Sequence, residues 1–251
     1  MERFSSFDGT GIAYEMTGAG SPVVLLHGFA ADHRANWVAP GVVDALVAAG
    51  RLVVAPDARG HGQSDKPHDP AAYADGAMVR DVRALLDHLG FDAVDLVGYS
   101  MGSLVSMSVT PTEPRVRALV LGGVGGRAAG RAPMNRARVA DALLADDVRG
   151  FDAASRAFRR FAERTGADRR ALAALQRARH TEPVADLADI SVPTLVVTGD
   201  ADVLVGPPAA LAARIPGARA QVVSGDHLTA VFDPAFRGAI VEFLATYGVS
   251  A

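Results

Sequence analysis

Ser100 is the first residue whose setting suggests chemistry, because it lies in the segment Gly98-Tyr99-Ser100-Met101-Gly102. This G-x-S-x-G segment follows a short apolar run and precedes a helical pattern, which places the serine on a sharp strand-to-helix turn. The flanking glycines let neighbouring chain pass close to the turn. The free N–H groups at the start of a helix favour negative charge, so the position suits a nucleophilic oxygen.

Serine is a weak nucleophile that needs a base, and the base needs a carboxylate to orient it. Of the seven histidines, His227 lies in the loop before the last predicted helix. Asp200 and Asp202 both lie in a loop that follows another apolar run. Since loops at the carboxyl ends of parallel strands open into one crevice, we expect His227, one of these aspartates and Ser100 to meet there.

The elements that would position these residues are short β-branched runs that alternate with helical stretches. This alternation predicts an α/β fold: a mostly parallel, eight-stranded sheet with helices on both faces. Helices are expected over 42–49, 75–89 and 101–109 and behind Pro234. The predicted strands are a hairpin of Arg3–Phe7 and Ile12–Met16, followed by Pro22–His27, Leu52–Pro56, Val94–Gly98, Ala118–Leu121, Thr194–Thr198 and Ala220–Val223.

One region interrupts the alternation. Between about Arg127 and Pro183 there is no strand-like run, only helical sequence rich in alanine and arginine. We therefore predict a core of residues 1–126 and 186–251, with a small helical insertion at 127–185.

Composition excludes several classes of function. The 251 residues contain no cysteine, which rules out a disulfide framework, a cysteine nucleophile and cysteine-ligated metals. A formal charge of −3 gives no indication of nucleic-acid binding. No apolar stretch is long enough for a membrane span, and the first ten residues lack the apolar run of a signal peptide. We expect a cytoplasmic protein without a cofactor or a metal site.

In their order and spacing these motifs resemble the α/β-hydrolase fold superfamily, and the resemblance covers the chain nearly end to end. The helical insertion falls where that family places its cap. The segments that carry the resemblance are His27-Gly28-Phe29, Asp57 to Ser64, Gly98 to Gly102, Gly199 to Asp202 and the loop that holds His227.

The resemblance implies a role for each matching residue. Ser100 would attack the substrate, His227 would accept its proton, and Asp202 would orient the imidazole. The family spacing favours Asp202 over Asp200 as the acid. The backbone N–H groups of Phe29 and Met101 would bind the oxyanion. His27 and the turn around His61 are interpreted as structural.

A serine at this position, where relatives that act on epoxides or haloalkanes have aspartate, points to a carbonyl substrate. The first choice is a small carboxylic ester. Enol-lactone hydrolysis, carbon–carbon bond hydrolysis and cofactor-free perhydrolase activity stay open, as does a non-catalytic ligand-binding role. The oligomeric state is left open. The expected pocket residues beside Phe29 and Met101 are Tyr99, Trp37, Leu204 and Leu228.

Charge is unevenly distributed along the chain. Residues 127–183 hold 13 arginines and 7 acidic residues, whereas the remainder is acidic. Two interpretations follow: the arginines lie on solvated helix faces, or one or two of them face the active site and favour substrates that carry a carboxylate.

Overall fold

The computed structural model describes residues 1–127, 135–179 and 186–249. Within them the chain forms one eight-stranded sheet of order β1-β2-β4-β3-β5-β6-β7-β8. β2 pairs antiparallel with β1 and β4, and every other pairing is parallel. The prediction of a mostly parallel eight-stranded sheet is therefore confirmed. The strands are β1 (Glu2–Ser5), β2 (Gly11–Gly18), β3 (Ser21–Leu26), β4 (Arg51–Pro56), β5 (Val94–Tyr99), β6 (Val116–Gly122), β7 (Thr194–Gly199) and β8 (Arg219–Val223).

Eight α-helices accompany the sheet in the described part of the chain. α2 begins two residues later than predicted, because Asp75 (φ 51°) and Gly76 (φ 66°) both adopt left-handed backbone. None of these helices is both long and apolar enough to cross a membrane. The helices are α1 (Val42–Ala48), α2 (Ala77–Leu89), α3 (Met101–Val109), α4 (Arg136–Leu144), α5 (Ala153–Thr165), α6 (Arg169–Arg177), α7 (Pro208–Ala212) and α8 (Pro234–Tyr247).

The central strands are apolar on both faces because helices cover both sides of the sheet. In β3, Val23 and Leu25 belong to the apolar cluster formed with α1 and α8. The alternate residues Val24 and Leu26 belong to the cluster formed with α2, α3 and α7. This alternation follows from the two-residue period of a strand. The parallel pairing of β5 to β8 places the carboxyl ends of β5, β7 and β8 at one edge of the sheet.

Helices α4, α5 and α6 lie between β6 and β7 in the chain. Each begins at a capping side chain, respectively Asn135, Asp152 and Asp168, which accepts hydrogen bonds from the first turn. Apolar residues of these helices pack with Phe29 and Ala30 of the core in a third cluster. The predicted insertion at 127–185 includes residues 128–134 and 180–185, which lie outside the described residues.

Candidate active site

The serine turn lies between β5 and α3, and its geometry depends on two glycines. Ser100 has φ 50° and ψ −108°, a strained conformation for a residue with a side chain. A Cβ on Gly98 would lie 2.5 Å from the backbone nitrogen of Ser103, and a Cβ on Gly102 would overlap the carbonyl oxygen of Leu26. The turn can therefore form only with glycine at both positions, and it holds the Ser100 hydroxyl above the sheet edge.

Three side chains meet at this edge. The Ser100 Oγ lies 2.9 Å from Nε2 of His227, and the His227 Nδ1 lies 2.7 Å from Oδ2 of Asp202. Asp202 can only accept at this contact, so Nδ1 carries the proton and Nε2 presents its lone pair to the serine. The Asp202 side chain is fully buried, and its other oxygen accepts the N–H of Leu204. The arrangement can move a proton from Ser100 to His227.

The loops that carry the acid and the histidine are held by separate contacts. Asp200 accepts the N–H of Gly225 at 3.0 Å and thereby joins the loop after β7 to the loop after β8. The Tyr99 hydroxyl donates to the carbonyl of His227 at 2.9 Å. Burial, together with the charges of Asp202 and Asp226, raises the pKa of Tyr99, so the phenol keeps its proton and stays a donor.

The loop after β3 passes directly beside the serine. A Cβ on Gly28 would lie 3.5 Å from Cβ of Ser100. Within the described part of the chain, the N–H groups of Phe29 and Met101 have no acceptor. Two free backbone donors beside a nucleophile can bind a developing oxyanion.

Two buried histidines brace this loop. Nδ1 of His27 donates to the carbonyl of Gly28, and its Nε2 accepts the N–H of Ala58. His61 bonds in the same way to the carbonyl of Arg59 and the N–H of Ala30. Both rings are neutral in these contacts, and burial lowers the pKa of each. Their role here is structural, because each ring uses both nitrogens on the backbone.

Asn36 also holds the loop, and no sequence motif pointed to it. It lies in a π-helical turn, Arg34–Val38, and its Oδ1 accepts the N–H of Gly28 at 2.8 Å. Since only the oxygen can accept, Nδ2 is the free end of the amide. The side chain is buried, Nδ2 has no acceptor among the described residues, and Asn36 lines the cavity above Ser100.

That cavity has a volume of about 420 Å³ and opens above Ser100 and His227. Its walls are mainly apolar and come from the loop after β3, from α5 and from the segment after His227. No group of three or more histidine or acidic side chains in the described part of the chain could hold a metal ion. The lining residues are Gly28, Phe29, Ala31, Ala35, Asn36, Ala39, Tyr99, Ser100, Phe158, Phe161, Arg164, His227, Leu228, Thr229, Val231 and Phe232.

The family model of the alpha/beta hydrolase fold matches residues 21–181, which is more than half of the chain. The chain belongs to this family. It is 40% identical over 110 residues to a 2-hydroxy-6-oxo-2,4-heptadienoate hydrolase of Pseudomonas putida, a match that covers 43% of this chain and 39% of that protein. It is 35% identical over 116 residues to epoxide hydrolase 2 of Siraitia grosvenorii, a match that covers 46% of this chain and 36% of that protein. The match thus spans well under half the length of these curated relatives.

The crystal structure of an esterase from Rhodococcus sp. ECU1013 is similar over nearly the whole chain. The two structures superpose with a TM-score of 0.74 at 30% sequence identity, and the superposition covers 98% of this chain and 99% of the esterase. This similarity includes the segments that carry Asp202 and His227, which lie beyond the stretch matched by the family model.

The α/β-hydrolase structure places the predicted pocket residues in different surroundings. Tyr99 and Leu228 line the cavity, as does Phe29. Trp37 does not: it is fully buried and packs edge-on against Tyr99, behind the wall, because the helical turn directs Asn36 and not Trp37 to the cavity. Leu204 is 41% exposed and lies outside the cavity. The wall residues that were not predicted from sequence include four large apolar ones, Phe158, Phe161, Val231 and Phe232.

The neutral state of His61 makes folding sensitive to acid. Burial, with the neighbouring His27, lowers its pKa from 6.5 to about 3. The unfolded chain takes up this proton as the pH falls below about 6.5, whereas the folded chain does not until about pH 3, so stability falls through that window. His61 alone is expected to remove about 2 kcal/mol from the free energy of unfolding between about pH 7 and pH 5.

The variant His61→Gln tests this expectation, because glutamine can still accept the N–H of Ala30 but does not titrate. Urea unfolding at both pH values should show a loss of stability about 2 kcal/mol smaller in the variant than in the wild type. An equal loss in both proteins would show that His61 does not control the acid sensitivity.

Proposed function

We propose that this α/β hydrolase is a serine hydrolase that cleaves a carboxylic ester of a small substrate through an acyl-enzyme intermediate. The observation that supports it most strongly is the continuous contact from Ser100 Oγ through His227 to Asp202, at 2.9 and 2.7 Å. A nucleophile, a base and an orienting acid within hydrogen-bond distance of one another are the parts that such a reaction requires.

In the proposed mechanism, His227 Nε2 takes the proton of Ser100 as the hydroxyl oxygen attacks the ester carbonyl. The N–H groups of Phe29 and Met101 bind the oxyanion, a stabilisation of about 3–4 kcal/mol per donor. The carbon–oxygen bond of the ester then breaks, and the alcohol leaves with the proton from His227. Water then gives a proton to His227 as it attacks the acyl carbon, the bond to Ser100 Oγ breaks, and the oxygen takes that proton back as the carboxylic acid leaves. Asp202 stabilises the imidazolium each time it forms.

The type of nucleophile argues against epoxide hydrolysis, the activity in the name of the Siraitia relative. Attack by Ser100 on an epoxide carbon would form an ether, which water does not cleave under these conditions. Attack on a carbonyl forms an ester, which the same histidine can hydrolyse. Lactones and carbon–carbon bonds beside a ketone are cleaved after the same carbonyl attack, so both belong in the substrate screen with the esters.

Hydrolysis of p-nitrophenyl acetate, with and without a fluorophosphonate inhibitor, tests the proposal. The expected result is ester turnover that stops after one equivalent of fluorophosphonate has reacted, with no diol formed from styrene oxide. A protein that binds esters without turning them over, or turnover that survives complete labelling, would overturn the proposal. The kcat/KM values of lactones and enol diketones, measured with the same preparation, show which substrate class the protein prefers.

A further inference from the structure

The wall of the active-site cavity carries one formal charge. Among the lining residues that the structure describes, Arg164 is the only arginine or lysine, and none is aspartate or glutamate. Phe158 and Phe161 line the cavity from the same helix, α5. Arg164 is itself solvent-exposed, and it borders apolar walls that carry no acidic side chain among the described lining residues, so it can attract an anion to the cavity.

Five arginines in the described residues of the insertion form ion pairs with acidic side chains, and Arg164 is not one of them. Its guanidinium carbon lies 5.6 Å from the ring centre of Phe161, but it has no ion-pair partner in the described part of the chain. Glu163, the adjacent carboxylate, contacts Arg159 and Arg169 instead. The arginines that are paired within the insertion are Arg138 with Asp152, Arg149 with Asp147, Arg159 and Arg169 with Glu163, and Arg177 with Asp141.

The backbone of Arg164 is held close to the loop beside the serine. The next residue, Thr165, donates to the carbonyl of Ala30 at 2.9 Å, and Gly166 ends α5 in left-handed backbone. Phe158, about two turns before Thr165 in α5, packs against Phe29 with ring centres 5.6 Å apart. The last turn of α5 is thus attached to the loop that carries the proposed oxyanion donor.

We propose that the ester or lactone substrate carries a carboxylate and that Arg164 binds this carboxylate while Ser100 attacks the carbonyl. This inference rests on the proposed function and names its substrate class. The guanidinium can donate two parallel hydrogen bonds to a carboxylate, and the aromatic residues beside it accommodate the apolar part of the substrate. A charge-assisted contact of this kind changes kcat/KM by about 10- to 100-fold.

Substrate pairs that differ by one carboxylate test the inference. Mono-p-nitrophenyl adipate and p-nitrophenyl hexanoate differ in a charge on the acyl side, and 4-acetoxybenzoate and phenyl acetate differ in a charge on the leaving group. The proteins are the wild type, Arg164→Gln, Arg164→Lys and the control Arg160→Gln. Arg160 is an exposed arginine one turn earlier in α5 that does not line the cavity.

For at least one anionic substrate, Arg164→Gln is expected to lower kcat/KM about 10- to 100-fold, mainly through KM. The ratio of anionic to neutral kcat/KM should fall by about the same factor, because the neutral partner has no carboxylate for the guanidinium to bind. Arg164→Lys should keep part of the wild-type preference for the anionic substrate over its neutral partner, and Arg160→Gln should keep all of it. In the wild type, high salt should reduce this preference because it screens the charges. The substrate pair that responds shows which side of the ester bond carries the carboxylate.

Failure of this inference can be distinguished from failure of the proposed function. If the wild type hydrolyses neutral esters but Arg164→Gln leaves both ratios of anionic to neutral kcat/KM unchanged, the carboxylate inference is wrong and the esterase proposal stands. An equal loss on charged and neutral substrates would assign Arg164 a structural role and also overturn the inference. If the wild type hydrolyses no ester or lactone, the proposed function itself fails.

Discussion

Ser100→Ala is expected to lower kcat/KM for p-nitrophenyl acetate by about 10⁴- to 10⁶-fold, the range found when the nucleophile of a Ser-His-Asp group is removed. The structure gives the reason: the Ser100 hydroxyl is the one that lies 2.9 Å from His227 Nε2. The activity that remains should come from the backbone donors and from substrate binding alone. Steady-state kinetics of both proteins, with the far-ultraviolet circular dichroism of each, measure the effect.

Ser108→Ala is the matched control for this variant. Ser108 lies in the same helix, α3, and is exposed, with its hydroxyl bonded to the carbonyl of Leu104. It should keep kcat/KM within about twofold of the wild type, since it changes a surface residue away from the site. Equal activity of wild type and Ser100→Ala would contradict the assignment of the nucleophile.

Asp202→Asn has the second largest expected effect, a fall in kcat of about 10³- to 10⁴-fold. The buried carboxylate accepts the proton on His227 Nδ1 at 2.7 Å and so leaves Nε2 free to accept from Ser100. An amide can instead donate to Nδ1, which would place the imidazole proton on Nε2, facing the serine. It also lacks the charge that stabilises the imidazolium. The fall should therefore appear mainly in kcat, with a smaller change in KM.

Asp200→Asn separates this effect from a general change in the loop. Asp200 lies two residues away and accepts the N–H of Gly225, a bond that an asparagine oxygen can also accept. Its kcat should stay within a few-fold of the wild type. If Asp200→Asn lost more activity than Asp202→Asn, the acid of the site would have been assigned to the wrong carboxylate.

The sequence predicted the fold and the residues of this constellation because both depend on local signals. Apolar runs with glycine boundaries mark the strands, and the strands place the loops after β5, β7 and β8 at one edge. Backbone atoms lie too close to Gly98 and Gly102 for a side chain to fit at either position. The G-x-S-x-G spacing therefore has a steric cause that can be recognised in the sequence. The choice between Asp200 and Asp202 needed the family spacing, since both lie in the same loop.

The cavity wall could not be predicted in the same way, because tertiary packing decides which side chains face it. Trp37 and Asn36 are neighbours in one turn, yet Trp37 packs behind the wall and Asn36 lies on it. Arg164 is one of many arginines in α4–α6, and only the docking of α5 on the loop after β3 brings it to the cavity. Periodicity indicates which face of a helix is apolar, but not which turn reaches a site on another element.

The central claim is that Ser100 becomes acylated during turnover, and mass spectrometry of the acyl-enzyme tests it most directly. Wild type mixed with p-nitrophenyl acetate and quenched in acid within the first turnovers should carry one acetyl group, and peptide mapping should place it on Ser100. Ser100→Ala treated in the same way should carry none. Ester turnover without an acylated Ser100, or an acetyl group on another residue of an active enzyme, would contradict the mechanism proposed for this α/β hydrolase.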